Sequence, residues 1–198
     1  LLDRVADLYP THDFKLQGKV YEQPGAAGYV STWHDACQET RALAFAYDQV
    51  FEGLREDPEL VAFLSRKARQ YQLENPKDSF AQIQRNIEER ILRDAVVNRH
   101  KIASNYPTTD VTVALCRTIL DWPADRAAIE AMIDEIITRC TAVDGMTGEK
   151  GLAGYSTIGP NNLAEFLGYY ARVDPEFLPA ILKRHPRLHQ TYRFHIDT

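Results

Sequence analysis

Apolar residues recur at helical spacing along almost the whole chain after residue 30. The clearest stripe is formed by Phe80, Ile83, Ile87, Ile91 and Leu92. Side chains three or four residues apart share one face of an α-helix, whereas a half-buried strand alternates residue by residue. Such alternation is absent until the C-terminal end of the sequence. The pattern therefore predicts an all-α protein.

Prolines, glycines and capping residues divide this pattern into helices joined by short links. Short links between helices favour antiparallel neighbours, so the sequence predicts an array of helix hairpins over 31–190. The predicted helices cover residues 31–54, 59–73, 79–97, 110–120, 124–142, 161–172 and 175–184.

The two ends of the chain are patterned differently. Residues 1–30 have weak periodicity and several turn signals, so we expect an irregular N-terminal segment there. The alternation from Tyr192 to Ile196 predicts that 191–198 is a linker or the start of a strand into a further domain. Both ends are thus expected to be cut from a longer protein.

Charge and composition exclude some classes of function. The formal net charge is −5, which argues against a general nucleic-acid-binding protein, since such a protein has a basic face. No apolar run approaches the roughly 18 residues of a membrane span. The spacing of the three cysteines fits no zinc pattern, and we assign them to the core. Neither a metal nor a cofactor is predicted.

The first stretch that interrupts the helical pattern is Asn98–Thr109. Arg99, His100, Lys101 and Asn105 lie in this stretch, just before a predicted helix. Free N–H groups and the helix dipole both favour negative charge at a helix N-terminus. The stretch is therefore a candidate site for a carboxylate. The alternative is an ordinary polar loop in which Thr108 or Thr109 caps the helix.

The second interruption is the glycine-rich stretch 144–160, which contains Tyr155. Glycine allows the backbone to approach a ligand closely. A tyrosine at the end of such a loop is able to act as a general base or acid if a neighbouring cation lowers its pKa from about 10. The alternative is a surface loop that Tyr155 anchors to the next helix.

Several short motifs, in this order along the chain, resemble those of heparinase II/III-like polysaccharide lyases, which include alginate lyases. Ala42–Asp48 is similar to a helix of that family. Ser104–Asp110 resembles the asparagine-containing loop that precedes a helix in the family, and Asp144-Gly145, Glu149 and Gly154-Tyr155 resemble its Asp-Gly, Glu and Tyr segment. The match covers most of the chain from about Ser31 onward.

The resemblance implies an incomplete (α/α) toroid cut by a cleft, with a β-sandwich domain downstream. It also implies β-elimination at a uronic acid of an acidic polysaccharide without a cofactor or metal, in a periplasmic or secreted protein. Tyr155 matches the catalytic tyrosine and Asn105 the amide that neutralises the C5 carboxylate. His100 is the rival neutralising group, because its separation from Tyr155 resembles the family's His-to-Tyr spacing. A further histidine comes from the β-sandwich in that family.

Five other residues are candidate substrate contacts. Arg99 and Lys101 are suited to carboxylate or sulfate, although solvated charge is the alternative. Trp33 and His34 open the first clear helix, where an aromatic ring stacks either on a sugar or in the core. Glu149 is a candidate for orienting Tyr155, and its alternative is a surface carboxylate.

Two other classes of function fit the same helical array. A glycoside hydrolase needs paired carboxylates across a cleft, and the candidates are Asp110, Asp144 and Glu149. A non-catalytic carbohydrate-binding or scaffold protein needs none of the catalytic groups.

Overall fold

In the computed structural model, the described residues are 1–11, 33–142 and 155–197. All regular secondary structure within these ranges is helical, and they contain no strand. The prediction of an all-α protein is therefore confirmed for the described part of the chain. The chain divides into two compact units, Leu1–Ala103 and Ser104–Thr198, whereas the sequence pattern predicts one segment over 31–190.

The first unit follows the predicted helices closely. The apolar stripe from Phe80 to Leu92 lies on a single continuous helix that includes one wider π-helical segment, Glu88–Arg93. Two short 3₁₀ turns, Tyr9–Thr11 and Arg99–Ile102, complete the unit. Its α-helices are α1 (Leu2–Leu8), α2 (Trp33–Arg55), α3 (Pro58–Gln70), α4 (Phe80–Ile87) and α5 (Asp94–Val97).

Side-chain caps fix where two of these helices begin. The Asp57 carboxylate accepts a hydrogen bond from the backbone N–H of Leu60 at 2.9 Å, at the start of α3. Ser79 caps α4 and accepts from the backbone N–H of Gln82 at 3.4 Å. The preceding residue, Asp78, instead binds Ser65 and Arg69. Each cap satisfies a backbone donor that has no partner within its helix.

Helix α1 corrects the prediction that residues 1–30 are irregular. It packs against α4, and both Ala6 and the adjacent Tyr9 are fully buried. The inward face of α1 also carries Asp3 and Asp7, which face the buried Lys77. A helix of seven residues with a charged inner face has no apolar stripe to reveal it. Residues 12–32 lie outside the described part of the chain.

A buried ion cluster joins α1 to the turn before α4 and to α4 itself. Its members are Lys77, Asp3, Asp7 and Asn86, and we call them the Lys77 cluster. The Lys77 ammonium binds Asp3 at 2.8 Å and also Asp7. The Asn86 carboxamide donates to both carboxylates at 3.0 Å. Lys77 is only 1% exposed, so these carboxylates replace the water that its charge has lost.

The second unit contains five helices in its described residues, and a layer of apolar side chains fills the space between them. Ile133 and Phe166 are fully buried, and Tyr170 stacks on Phe177 with ring centroids 4.8 Å apart. The helices are α6 (Thr108–Asp121), α7 (Arg126–Cys140), α8 (Tyr155–Val173), α9 (Phe177–Arg184) and α10 (Arg187–Asp197).

Helix α10 replaces the strand predicted at the C-terminal end. Tyr192 to Ile196 alternate in polarity, but Leu188 and Thr191 upstream are both buried and lie three residues apart. That spacing belongs to one helical face, and the helix continues to Asp197. The prediction of a strand was therefore wrong. Five residues of alternating polarity are too few to distinguish the two-residue period of a strand from the 3.6-residue period of a helix.

The three cysteines, Cys37, Cys116 and Cys140, are all buried and unbridged. Their assignment to core packing is confirmed. None of the helices in the described ranges has the length and apolar character to cross a membrane.

The end of α9 is tied to α7 by a partly exposed ion pair. Asp134 accepts from His185 at 2.7 Å and from Arg184 at 3.0 Å. Burial works to raise the pKa of Asp134, but the hydrogen bonds from His185 and Arg184 outweigh it and leave the pKa below its usual range. A lowered carboxyl pKa stabilises the fold above the unfolded-state pKa, and this stabilisation is lost as pH falls through the folded-state pKa.

Replacing Asp134 with asparagine should therefore lower the free energy of unfolding at neutral pH by less than about 1 kcal/mol, because the pair is exposed to solvent. The difference from the unmodified protein should shrink as pH falls through the folded-state pKa of Asp134 and disappear below it. Urea unfolding at a series of pH values measures it, with Glu135→Gln as the exposed control on the same helix. A difference that stays constant down to acid pH would contradict this explanation.

Candidate functional site

The predicted site residues Asn105 and Tyr155 both belong to the second unit, and three helices fix their arrangement. The start of α6 meets α8 where the Asn162 carboxamide donates to the Thr108 hydroxyl at 3.3 Å. Further along both helices, the Thr118 hydroxyl is hydrogen-bonded to the Tyr170 hydroxyl. Because both contacts progress in the same direction, α6 and α8 run parallel.

Helix α7 runs antiparallel to α6. The Tyr106 hydroxyl just before α6 donates to the Ile136 carbonyl near the end of α7, at 3.4 Å. At the opposite end, Arg117 of α6 forms an ion pair with Asp125, just before α7. The N-terminal ends of α6 and α8 and the C-terminal end of α7 therefore lie at the same end of this unit, which we call the loop end.

Asn105 lies at the loop end, in the turn that leads into α6. Its carbonyl accepts from the Thr108 N–H at 2.8 Å, and the Thr109 hydroxyl accepts from the Ser104 N–H at 2.8 Å. Thr108 and Thr109 are thus inside the first turn, and Pro107 occupies the N-cap position; the prediction that either threonine caps α6 was wrong. The Asn105 side chain is half-buried. No hydrogen bond joins its carboxamide to another residue of the described ranges.

Tyr155 is the first residue of α8, which begins earlier than the predicted Asn161. Asn162 follows Tyr155 by seven positions. Tyr155 therefore lies about 10 Å beyond the Thr108–Asn162 contact along the helix axis. The backbone of Tyr155 is therefore at the loop end, as Asn105 is. Its side chain lies outside the described part of the chain, and so do Asp144 and Glu149 entirely.

The first turns of α8 contain several polar groups that helical hydrogen bonds do not satisfy. Pro160 has no N–H, so the helical partner of the Ser156 carbonyl is missing. Ser156 is 1% exposed, and its hydroxyl has no hydrogen-bond partner among the residues that the structure describes. The Tyr192 hydroxyl donates to the Pro160 carbonyl at 3.2 Å and holds this part of the helix against α10. Buried polar atoms without partners are rare in folded proteins.

Two other tyrosines lie near the loop end, and both are poorly suited to remove a proton. Burial is the main cause that raises the pKa of Tyr106, and the nearby groups of Cys140, Asp110 and Glu135 add to it. Burial also raises the pKa of Tyr192 to about 12. Very little phenolate exists at neutral pH in either case, and general bases work best with a pKa near the operating pH. Among these three tyrosines, Tyr155 remains the candidate base.

Arg139 is a residue of the loop end that sequence reasoning missed. It lies in the last turn of α7, and its guanidinium is 4.0 Å from the centroid of the Tyr106 ring. The two residues are far apart in sequence, and no motif connects them. A cation in the last turn of a helix is a common pattern, so the sequence alone gave no signal of this contact.

Three of the candidates, Arg99, His100 and Lys101, lie in the first unit, on its second 3₁₀ turn. Ile102 anchors this turn, since it is fully buried and its carbonyl accepts from the Cys37 thiol at 2.8 Å. The Lys101 ammonium binds Asp94 at 2.9 Å, so a substrate would have to displace this carboxylate. The His100 side chain is exposed. Its pairing with Tyr155 of the other unit stays a prediction.

Trp33 and His34 begin α2 as predicted, but their side chains lie outside the described part of the chain. No group of three or more histidine, cysteine or carboxylate side chains that is suited to a metal ion occurs among the residues that the structure describes. Comparison with protein-family models, curated proteins and solved structures gives no match to this chain. Arguments about function therefore depend on its own residues.

Proposed function

We propose that the protein is a polysaccharide lyase that cleaves an acidic polysaccharide at a uronic acid by β-elimination. The observation that carries the proposal is the arrangement of α6 and α8. Because these helices run parallel, the loop of Asn105 and the start of α8 at Tyr155 lie at one end of one unit. The motif resemblance assigns roles to these same two residues.

The chemistry requires a group that neutralises the sugar carboxylate. The C5 proton of a uronic acid becomes removable when hydrogen bonds stabilise the negative charge that develops on that carboxylate. In the proposal, the Asn105 carboxamide donates these hydrogen bonds. The N-terminal ends of α6 and α8 add partial positive charge at the loop end, against the partial negative charge of the single C-terminal end of α7. His100 is the rival donor in this role.

Tyr155 carries the proton transfers in this proposal. Its phenolate removes the C5 proton, the C5–H electrons form the C4=C5 double bond, and the C4–O4 bond breaks. The departing O4 then receives a proton from the same tyrosine, so that no water is consumed. A nearby cation that lowers the Tyr155 pKa would favour the reaction.

The remaining parts of the proposal follow from the resemblance. They are an incomplete (α/α) toroid with a downstream β-sandwich, a periplasmic or secreted location, and substrate contacts from Arg99, Lys101, Glu149, Trp33 and His34. The Lys101–Asp94 ion pair counts against a direct role for Lys101.

Incubation with polyuronates and with glycosaminoglycans tests the reaction type directly. A lyase forms an unsaturated sugar at the new non-reducing end, and this conjugated product absorbs ultraviolet light. We expect ultraviolet absorbance to rise in proportion to new reducing ends. New reducing ends without this absorbance would indicate a hydrolase and refute the proposal. Binding of the polymer without any cleavage would also refute it, and would indicate a non-catalytic carbohydrate-binding protein.

A further inference from the structure

Arg139 is held at the loop end by an aromatic ring. Its side chain is 57% exposed, and its guanidinium lies 4.0 Å from the centroid of the Tyr106 ring. Stacking of a guanidinium on an aromatic face is favourable and leaves the N–H groups at its edge able to bind other groups. The Glu135 carboxylate is 3.8 Å away, which is too long for a hydrogen bond.

The Tyr106 ring places Arg139 beside the Asn105 loop. Tyr106 follows Asn105 directly, and its hydroxyl is bound to the Ile136 carbonyl on α7. The ring is therefore attached both to the turn before α6 and to the helix that carries Arg139. Because stacking already restricts the guanidinium, less conformational entropy is lost when it binds a ligand.

Arg139 itself supplies the positive charge that would attract an anion here, because the Glu135 carboxylate and the C-terminal end of α7 both oppose one. The N-terminal ends of α6 and α8 lie at the same end of the unit, and the neighbouring Asn105 carboxamide has no partner among the described residues. The planar fork of arginine matches a carboxylate or sulfate with two parallel hydrogen bonds. Arg139 is exposed to solvent at the loop end. In the proposed mechanism, the carboxylate of the reacting sugar binds Asn105 instead.

The geometry points to Arg139 as a specificity-determining residue that binds an acidic group on the sugar next to the one that reacts. This inference rests on the proposed lyase function and narrows its substrate to polymers with consecutive acidic sugars. Binding at a neighbouring sugar is made equally in the ground state and the transition state, so Arg139 should affect KM and leave kcat unchanged.

Arg139→Gln tests the inference, since it removes the charge from an exposed side chain and leaves the core intact. With a polyuronate substrate, KM should rise roughly 10- to 100-fold, the range expected for loss of a charge-assisted hydrogen bond. With a polymer that alternates uronic acid and uncharged sugar, KM should not change. Arg126→Gln is the matched control, because Arg126 is also exposed and lies 4.8 Å from the Trp122 ring at the opposite end of α7.

A fall in kcat, or an equal rise in KM with both polymers, would overturn the assignment of Arg139. Failure of the proposed function is separate, since the unmodified protein would then form no unsaturated product. In that case, the inference is tested by calorimetry, which measures the affinity of each variant for a saturated oligouronate. Weaker binding by Arg139→Gln than by Arg126→Gln supports the assignment, whereas equal binding, or none by the unmodified protein, refutes it.

Discussion

Replacing Lys77 with methionine is expected to lower the free energy of unfolding by about 3–5 kcal/mol, as measured by urea denaturation. Methionine keeps most of the volume of the lysine stem but removes the ammonium. Asp3 and Asp7 would then remain buried with the Asn86 carboxamide as their shared donor. Leaving a carboxylate in a buried position without its counter-charge costs several kcal/mol.

The controls separate the buried charge from a general effect of losing a lysine. Lys67→Met removes an ammonium that forms an exposed hydrogen bond to Gln70, and its effect should be within about 0.5 kcal/mol. Adding Asp3→Asn and Asp7→Asn to Lys77→Met should restore much of the lost stability, because no unpaired charge remains. If Lys77→Met alone unfolds at the same urea concentration as Lys67→Met, the Lys77 cluster does not stabilise the protein.

The Lys77 cluster also explains why α1 escapes sequence reasoning. A helix of seven residues is too short to be stable by itself, and its inner face combines Ala6 with two carboxylates. The sequence pattern shows which residues are apolar but does not show that Lys77, seventy positions away from Asp7, neutralises this face. Tertiary ion pairs of this kind are invisible to periodicity.

Long helices with a clear apolar face were predicted well. Ile83 and Ile87 of α4 and Ile129 and Ile133 of α7 are buried as expected. The C-terminal helix α10 was mistaken for a strand, since five residues of alternating polarity fit either period. The boundary between the two compact units, at Ala103 and Ser104, was missed because it falls within the single polar stretch Asn98–Thr109. A polar composition does not show which part of that stretch packs on which hydrophobic core.

The candidate site was accessible from sequence only in part. Antiparallel hairpins were predicted in general terms, and α6 and α7 follow that prediction. The parallel arrangement of α6 and α8, which brings Asn105 and the backbone of Tyr155 to one end of the unit, was not predicted, because the link between α7 and α8 is long. The Arg139–Tyr106 contact depends on the register between α6 and α7, which short links do not determine.

Tyr155→Phe is expected to lower kcat roughly 10²- to 10⁴-fold, the usual contribution of a general acid or base. The substitution removes one oxygen and keeps the aromatic ring, so KM should change little. Initial rates of ultraviolet-absorbing product with a polyuronate measure both constants. Tyr169→Phe is the matched control on the same helix, because its hydroxyl donates to the exposed Glu165 one turn earlier. The rate of this variant should be unchanged within about twofold.

Variants of Asn105 test the second half of the same mechanism and distinguish chemistry from folding. Asn105→Ala removes the donor, whereas Asn105→Asp keeps the shape and places a negative charge against the substrate carboxylate. If Asn105 neutralises that carboxylate, aspartate should be at least as damaging as alanine, since like charges at close range repel. An active Asn105→Asp variant would indicate that His100 neutralises the carboxylate, and His100→Ala should then abolish activity.

A double variant tests whether the two groups act in one step. Tyr155 acts on the C5 proton and the neutralising group on the carboxylate, so Tyr155→Phe and Asn105→Ala should each lower kcat. The double variant should lower kcat by a smaller factor than the product of the two single factors.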